Sequence, residues 1–432
     1  MSQAIKPKER DAVIQSLRAG VVPRIGQYLI QVGRTREIET LVADIQRLSD
    51  GGAAFRLITG EYGAGKTFFL NLVRAIALNK NLVVTNADLN PDRRLHATGG
   101  QARSLYAELM RNLATRARPD GNALAGVVEK FISAARDEAK SKGKKADAVI
   151  REKLDHLRDL VNGYDFADVI AAYCRGFEDS NDQLKADAIR WLRAEFSTKT
   201  GARQALGVRT IIDDDTIYDQ LKLMGLFVRL AGYQGMLVCL DEMVNLYKLS
   251  NTQARKSNYE QILRILNDSL QGSSEGLGFL LGGTPEFLMD SRRGLYSYEA
   301  LQSRLATNSF AANGLVDHKG PVIRLETLTP EDLYVLLQKV RDVYASGDRA
   351  KYLIPDEGLH AFMQHCSKKL GAASFRTPRN TIRSFTDLLA VLDQNPGTTW
   401  QQLIGTVDVQ PDNGAALEQA VDPDDDLASF KM

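Results

Sequence analysis

The sequence predicts an α/β fold in which a parallel five-stranded sheet carries a nucleotide-binding loop, with a large all-helical insertion and a C-terminal helical lid. Three observations predict it. The stretch Gly60-Glu61-Tyr62-Gly63-Ala64-Gly65-Lys66-Thr67 stands between an apolar run, Phe55–Thr59, and an apolar face at helical spacing that starts at Phe68. A second apolar run, Gly235–Leu240, ends in two carboxylates, Asp241 and Glu242. Between these two stretches, nearly all of residues 97–205 shows helical periodicity.

The glycine-rich stretch has the context of strand, turn and helix that a phosphate-binding loop requires. Its glycines let the backbone curl so that N–H groups point inward at phosphates, and the new helix adds the positive end of its dipole. In that reading Gly60, Glu61, Tyr62, Gly63, Ala64, Gly65, Lys66, Thr67 and Phe68 form the nucleotide cradle. Lys66 reaches the β and γ phosphates, and the Thr67 hydroxyl holds Mg²⁺. ATP and Mg²⁺ are the expected ligands.

Composition narrows the class. The chain has 432 residues, 44% of them apolar and 25% charged, with a formal net charge of +1. That is an ordinary globular composition, long enough for two or three domains. A near-neutral charge excludes a broad electrostatic footprint for nucleic acid or membrane, so any such site must be a local patch. Cys174, Cys239 and Cys366 are scattered and lack metal-ligand spacing, which suits a reducing cytosol. No apolar stretch approaches the roughly 18 residues of a membrane span, and the first residues lack a signal peptide's apolar core. The expectation is a cytoplasmic protein.

Taken in order, residues 8–20 read as a helix with Val13, Ile14 and Leu17 on one face. Gly33-Arg34-Thr35-Arg36-Glu37 then opens a second helix, whose buried stripe is Ile38, Leu41, Ile45 and Leu48. Such an entry ahead of a phosphate loop resembles the element that packs on the adenine in AAA+ and related signal-transduction ATPases, which makes Arg34 nucleotide-proximal. After the loop's helix, Asn81–Asn86 reads as a buried strand. Helical spacing recurs over 101–118, 123–139, 146–161, 165–177 and 182–196, far more chain than an α/β crossover needs. Lys140–Lys145 falls between two of these helices, as a solvated loop or a contact with a nucleic-acid backbone.

In phosphate-loop ATPases the first carboxylate after such a strand orders the Mg²⁺ shell and the second polarises the attacking water. These roles fall to Asp241 and Glu242. Gly278–Gly283 is a further buried strand, tipped by Thr284, which either holds the lytic water or caps the helix from Pro285. Pro321–Leu325 is the fifth strand. Arg304, with Arg293 second, is the candidate for an arginine that reaches a neighbouring subunit's site and stabilises charge on the γ-phosphate; each also reads as a surface residue. From Thr329 a capping box, a helix from Pro355 and a helix from Pro378 form the lid. Arg379 lies in that last helix's first turn, where AAA+ proteins place a phosphate-touching arginine. Cys366 and His365 read as core and rim. The expected division is a nucleotide-binding core of 1–96 and 206–328, an insertion of 97–205, a lid of 329–410, and a disordered acidic tail of 411–432.

Five stretches together, Gly33–Glu37, Thr59–Phe68, Leu240–Glu242, Gly282–Pro285 and Ser303–Leu305, make the chain resemble the ATP-binding protein family of BREX phage-defence systems. That family is an AAA+-like group related to origin-recognition and signalling ATPases. The resemblance runs over about residues 20–395. It implies a bacterial ATPase that works as a homo-oligomer beside helicase, methyltransferase or nuclease partners, with sequence-independent duplex DNA as a possible contact. An ATP-controlled switch or assembly scaffold with little turnover shares every motif. A small-molecule kinase fits less well, because Glu242 is set to activate water.

Overall fold

Parallel strands sandwiched between helices are buried on both faces and read as continuous apolar runs. The computed structural model, which describes residues 5–311, 317–370 and 378–405, places such runs in one five-stranded parallel sheet. In chain order, α1 (Pro7–Arg18) and α2 (Thr35–Ser49) precede β1 (Ala54–Thr59), α3 (Lys66–Asn79) and β2 (Val83–Asp88). Seven helices follow: α4 (Gln101–Arg111), α5 (Leu124–Lys142), α6 (Ala146–Arg158), α7 (Gly163–Glu178), α8 (Asp182–Leu192), α9 (Lys199–Leu206) and α10 (Ile217–Leu230). Then come β3 (Met236–Asp241), α11 (Val244–Lys248), α12 (Thr252–Gln271), β4 (Leu277–Gly283), α13 (Pro285–Met289), α14 (Glu299–Leu305) and β5 (Val322–Arg324). The chain closes with α15 (Pro330–Tyr344), α16 (Asp356–Leu370), α17 (Pro378–Gln394) and α18 (Trp400–Ile404). The expected tail, 411–432, lies outside the described residues.

The strand order is β2-β3-β4-β1-β5. All residues of β1, β3 and β4 are buried. β2 pairs with β3 in a register that sets Val83 against Met236 and Asp88 against Asp241. The strand expected at Asn81–Asn86 therefore begins and ends two residues later. The helix expected over 101–118 stops at Arg111. Beyond it Ala114 exchanges backbone hydrogen bonds with Val84, at 2.7 and 3.0 Å, and covers part of the edge of β2.

Two compact units divide the described residues. One contains those up to Glu37, Ile58–Leu72 and Arg324 onward; the other contains Ile38–Leu57 and Val73–Ile323. In the second unit a single apolar cluster runs from the strands through α4 to α10. Phe227 on α10 meets Phe131 of α5 at 5.2 Å and Phe166 of α7 at 5.9 Å between ring centroids, in tilted and edge-on geometry. Such pairs add about 0.5–1.5 kcal/mol each beyond area burial. α10 also packs on β3 and β4, so the inserted helices share the sheet's core. A buried ion pair lies in the same unit. Arg56 of β1 binds Asp44 of α2 through two nitrogens and also donates to the carbonyls of His318, Lys319 and Gly320. A buried guanidinium satisfied in this way avoids the cost of an unpaired charge.

In the first unit α1, α15, α16, α17 and α18 enclose a second cluster that includes Val13, Leu337, Val340, Phe362 and Phe385. Cys366 is 1% exposed within it, and His365 lies at its rim. The start of α15 is a complete capping box: Asp332 N–H donates to the Thr329 hydroxyl and Thr329 N–H to the Asp332 carboxylate, both at 3.1 Å. Thr329→Ala should lower the stability of this unit by about 1 kcal/mol, read from the urea-unfolding midpoint. An unchanged midpoint would show that the box contributes nothing.

Candidate functional site

The first unit holds the glycine-rich loop. Gly63 and Gly65 adopt φ of 83° and 82°, a region open to glycine at little cost. A side chain on Gly60 would lie 2.9 Å from the Leu325 carbonyl and 3.1 Å from Ala64 Cβ, so the strand-to-loop exit needs glycine too. A Cβ on Gly65 meets nothing within 4 Å, so the backbone there faces open space at the start of α3. Open space beside a helix N-terminus is where an anion can approach backbone N–H groups. Lys66 Nζ donates to the carbonyls of Gly60 at 2.8 Å and Glu61 at 3.0 Å, which sets the ammonium within the loop. Thr67 is exposed on the first turn, while Phe68 turns into the unit's apolar cluster. The donor set fits a polyphosphate.

Arg34 stands at φ 63° and braces this loop. Its Nη2 donates to the Ala64 carbonyl at 3.1 Å and to that of Glu326, and its Nη1 lies 3.9 Å from Glu37. Burial lowers the affinity of its guanidinium for the proton, an effect opposed by the charge of Glu37. The contacts thus place the residue expected near the nucleotide against the loop backbone. Arg379, in the first turn of α17, brings Nη1 to 3.4 Å from the Tyr62 hydroxyl, with its guanidinium carbon 6.0 Å from the ring centroid.

The second unit holds the carboxylates. Asp241 ends β3 and is 8% exposed. Glu242 is exposed, and the backbone turns sharply there, at φ 58°. A left-handed glutamate is uncommon, and such strained residues cluster at functional sites. Three hydrogen bonds fix the turn. Glu242 N–H donates to Asp241 Oδ1 at 2.9 Å, Met243 N–H to the Gly282 carbonyl at 3.0 Å, and Leu89 N–H to the Asp241 carbonyl at 3.0 Å. The pair is held between the ends of β2 and β4.

That arrangement adds a residue absent from the sequence-based set. Asp88 is register-paired with Asp241 at the end of β2. Loss of hydration and then the charge of Asp241 raise its carboxyl above the ordinary range. The sequence reading ended this strand at Asn86, and only the observed end and register of β2 make Asp88 a neighbour of Asp241.

Thr284 follows β4 and accepts a hydrogen bond from Phe287 N–H at 3.4 Å, as the cap of α13. Arg304, exposed on the last turn of α14, donates to Asn267 Oδ1 at 2.7 Å and to the Ala300 carbonyl at 2.8 Å. Arg293, the second arginine candidate, donates to the carbonyls of Tyr247, Lys248 and Leu249 at 3.0–3.4 Å. Arg255 donates to that of Leu249 at 2.6 Å. Two guanidinium groups thereby cap the end of α11, the short helix that follows Glu242. The basic run begins inside the last turn of α5 rather than wholly between helices, and there Lys142 pairs with Glu138 at 2.7 Å and Lys144, in the link to α6, with Glu152 at 2.8 Å. Among the described residues, no helix is long and apolar enough to cross a membrane.

A family model described as BREX system ATP-binding protein BrxC/D matches residues 5–408, nearly the whole chain. No curated protein matches it.

Proposed function

The chain belongs to the BREX system ATP-binding protein family BrxC/D, and from that membership we propose that it is an AAA+-type phosphate-loop ATPase of a bacterial anti-phage defence complex. The observation that carries this reading is the open glycine cradle with Lys66 set inside it. In open α/β sheets, ligands bind outside the carboxyl ends of the strands. The loop after β1, Asp241 and Glu242 after β3, and Thr284 after β4 all follow such ends. Each residue has a role there. The loop N–H groups and Lys66 would bind phosphate oxygens, and Thr67 in the first unit and Asp241 in the second are the candidate Mg²⁺ ligands. Mg²⁺ supplies charge neutralisation at the phosphates. Glu242 accepts the proton of the attacking water, Thr284 orients that water, and Arg379 meets the phosphates. As the fold of such an enzyme, residues 1–96 and 206–328 form the core, 97–205 the insertion and 329–410 the lid. The protein acts in the cytoplasm as an oligomer, beside other components of the defence system.

In the oligomer Arg304 reaches the neighbour's γ-phosphate. Its own-chain bonds to Asn267 and Ala300 must then be exchanged, and they favour a second reading. In that reading the protein is an ATP-controlled switch whose turnover is incidental. A DNA contact at the run of Lys142 and Lys144 would exchange their exposed ion pairs for phosphate contacts. Turnover of ATP with and without duplex DNA, run beside a mass measurement with and without ATP, separates the readings. The ATPase reading expects Mg²⁺-dependent phosphate release and a larger particle in ATP. Arg304→Ala should bind ATP normally yet hydrolyse it poorly. Mixing with Glu242→Gln subunits should restore part of the rate at composite interfaces. A monomer in ATP, with no rescue, would leave the switch reading standing.

A further inference from the structure

Arg379 serves a phosphate best if something aims it, because a long arginine side chain loses rotamer freedom when fixed. We propose that Tyr62 is a positioning residue that holds the Arg379 guanidinium against the phosphate loop before nucleotide arrives. The inference rests on the reading above that this loop binds a nucleotide. Tyr62 stands at a position of the glycine-rich stretch for which the motif specifies no residue type, and it is 47% exposed, so burial does not explain an aromatic there. Its ring and hydroxyl both face Arg379, at 6.0 Å from the centroid and 3.4 Å from the oxygen. The stem of the arginine runs beside the turn after α1. An added Cβ on Gly20, at φ 69°, would stand 3.6 Å from Arg379 Cδ and 3.7 Å from Cγ, ordinary packing distance for the stem. The stem thus lies along the turn after α1 and the head lies on the loop. A guanidinium over an exposed aromatic face is attracted by its quadrupole, and the hydroxyl accepts one of its N–H groups. Both interactions leave the remaining N–H donors of Arg379 available to a phosphate oxygen.

Calorimetric titration of the full chain with ATP and Mg²⁺ tests this through a double-mutant cycle. Tyr62→Ala should weaken binding about two- to fivefold, the equivalent of an exposed cation–π contact. Tyr62→Phe, which keeps the ring, should recover most of that loss. Arg379→Ala should weaken binding about tenfold or more. Adding Tyr62→Ala to it should cause no further loss, because the tyrosine then has nothing to aim. Losses that multiply in the double variant would overturn the proposal by showing that Tyr62 acts independently of Arg379. Tighter binding by Tyr62→Ala would overturn it by showing a contact that must break before nucleotide binds. Failure of the unaltered protein to bind ATP would remove the functional reading and this inference together, an outcome distinct from the other two.

Discussion

Glu242→Gln should lower ATP turnover by on the order of 10²-fold or more while ATP stays bound, the scale of losing a positioned proton acceptor. The amide matches the carboxylate in size but cannot take a proton from water. Its backbone can keep the same turn, because the N–H bond to Asp241 Oδ1 and the Met243 bond to Gly282 involve no atom of the Glu242 side chain. The two arginines that cap α11 hold the following segment in place as well. The loss should therefore fall on kcat, with nucleotide affinity within a few-fold of the unaltered protein. Single-turnover phosphate release measures it, with calorimetry as the control for binding. Wild-type turnover in Glu242→Gln would remove the residue from the proton-accepting role. Residual turnover that disappears on adding Asp88→Asn would transfer that role to the neighbouring strand end.

The contrast between Glu242 and Asp88 shows what a single sequence discloses. Strands buried on both faces announce themselves as apolar runs, and a glycine-rich strand-to-helix turn is a local pattern, so β1, β3, β4 and the turn after β1 were legible. The proximity of Asp88 to Asp241 depends on the register of β2 against β3, whose partners lie far apart in the chain. Long-range pairings of that kind leave no local trace. The own-chain contacts of Arg34 and Arg293 were hidden for a related reason. Each was read for a role toward a ligand, and each spends its guanidinium on backbone carbonyls of its own chain. Nothing in the spacing of an arginine distinguishes these uses. The early stop of the helix after Gln101 has a tertiary cause too, since Ala114 is drawn to the edge of β2. Capping chemistry is local, and the box at Thr329 was accordingly readable in full.

Lys66→Ala should abolish measurable nucleotide binding, a loss of about 10²-fold or more in affinity. Two charge-assisted hydrogen bonds to phosphate oxygens, at roughly 1.5–3 kcal/mol each, account for that scale. The substitution has a second effect that adds to the first. Lys66 Nζ donates to the Gly60 and Glu61 carbonyls at 2.8 and 3.0 Å, so the ammonium also draws the start of the loop inward. Without it, those carbonyls lose a cationic donor and the entrance to the cradle loses part of its order. Lys66→Arg tests the two contributions against each other. The planar guanidinium keeps the charge but cannot fold into the same compact loop, because arginine and lysine differ in shape as well as hydration. It should restore little of the affinity. Calorimetry with ATP and with ADP reads the outcome, and near-unchanged thermal unfolding confirms that the half-buried site has not collapsed. Should Lys66→Ala bind ATP as tightly as the unaltered chain, the nucleotide site lies elsewhere, and the glycine cradle is only a strand-to-helix turn.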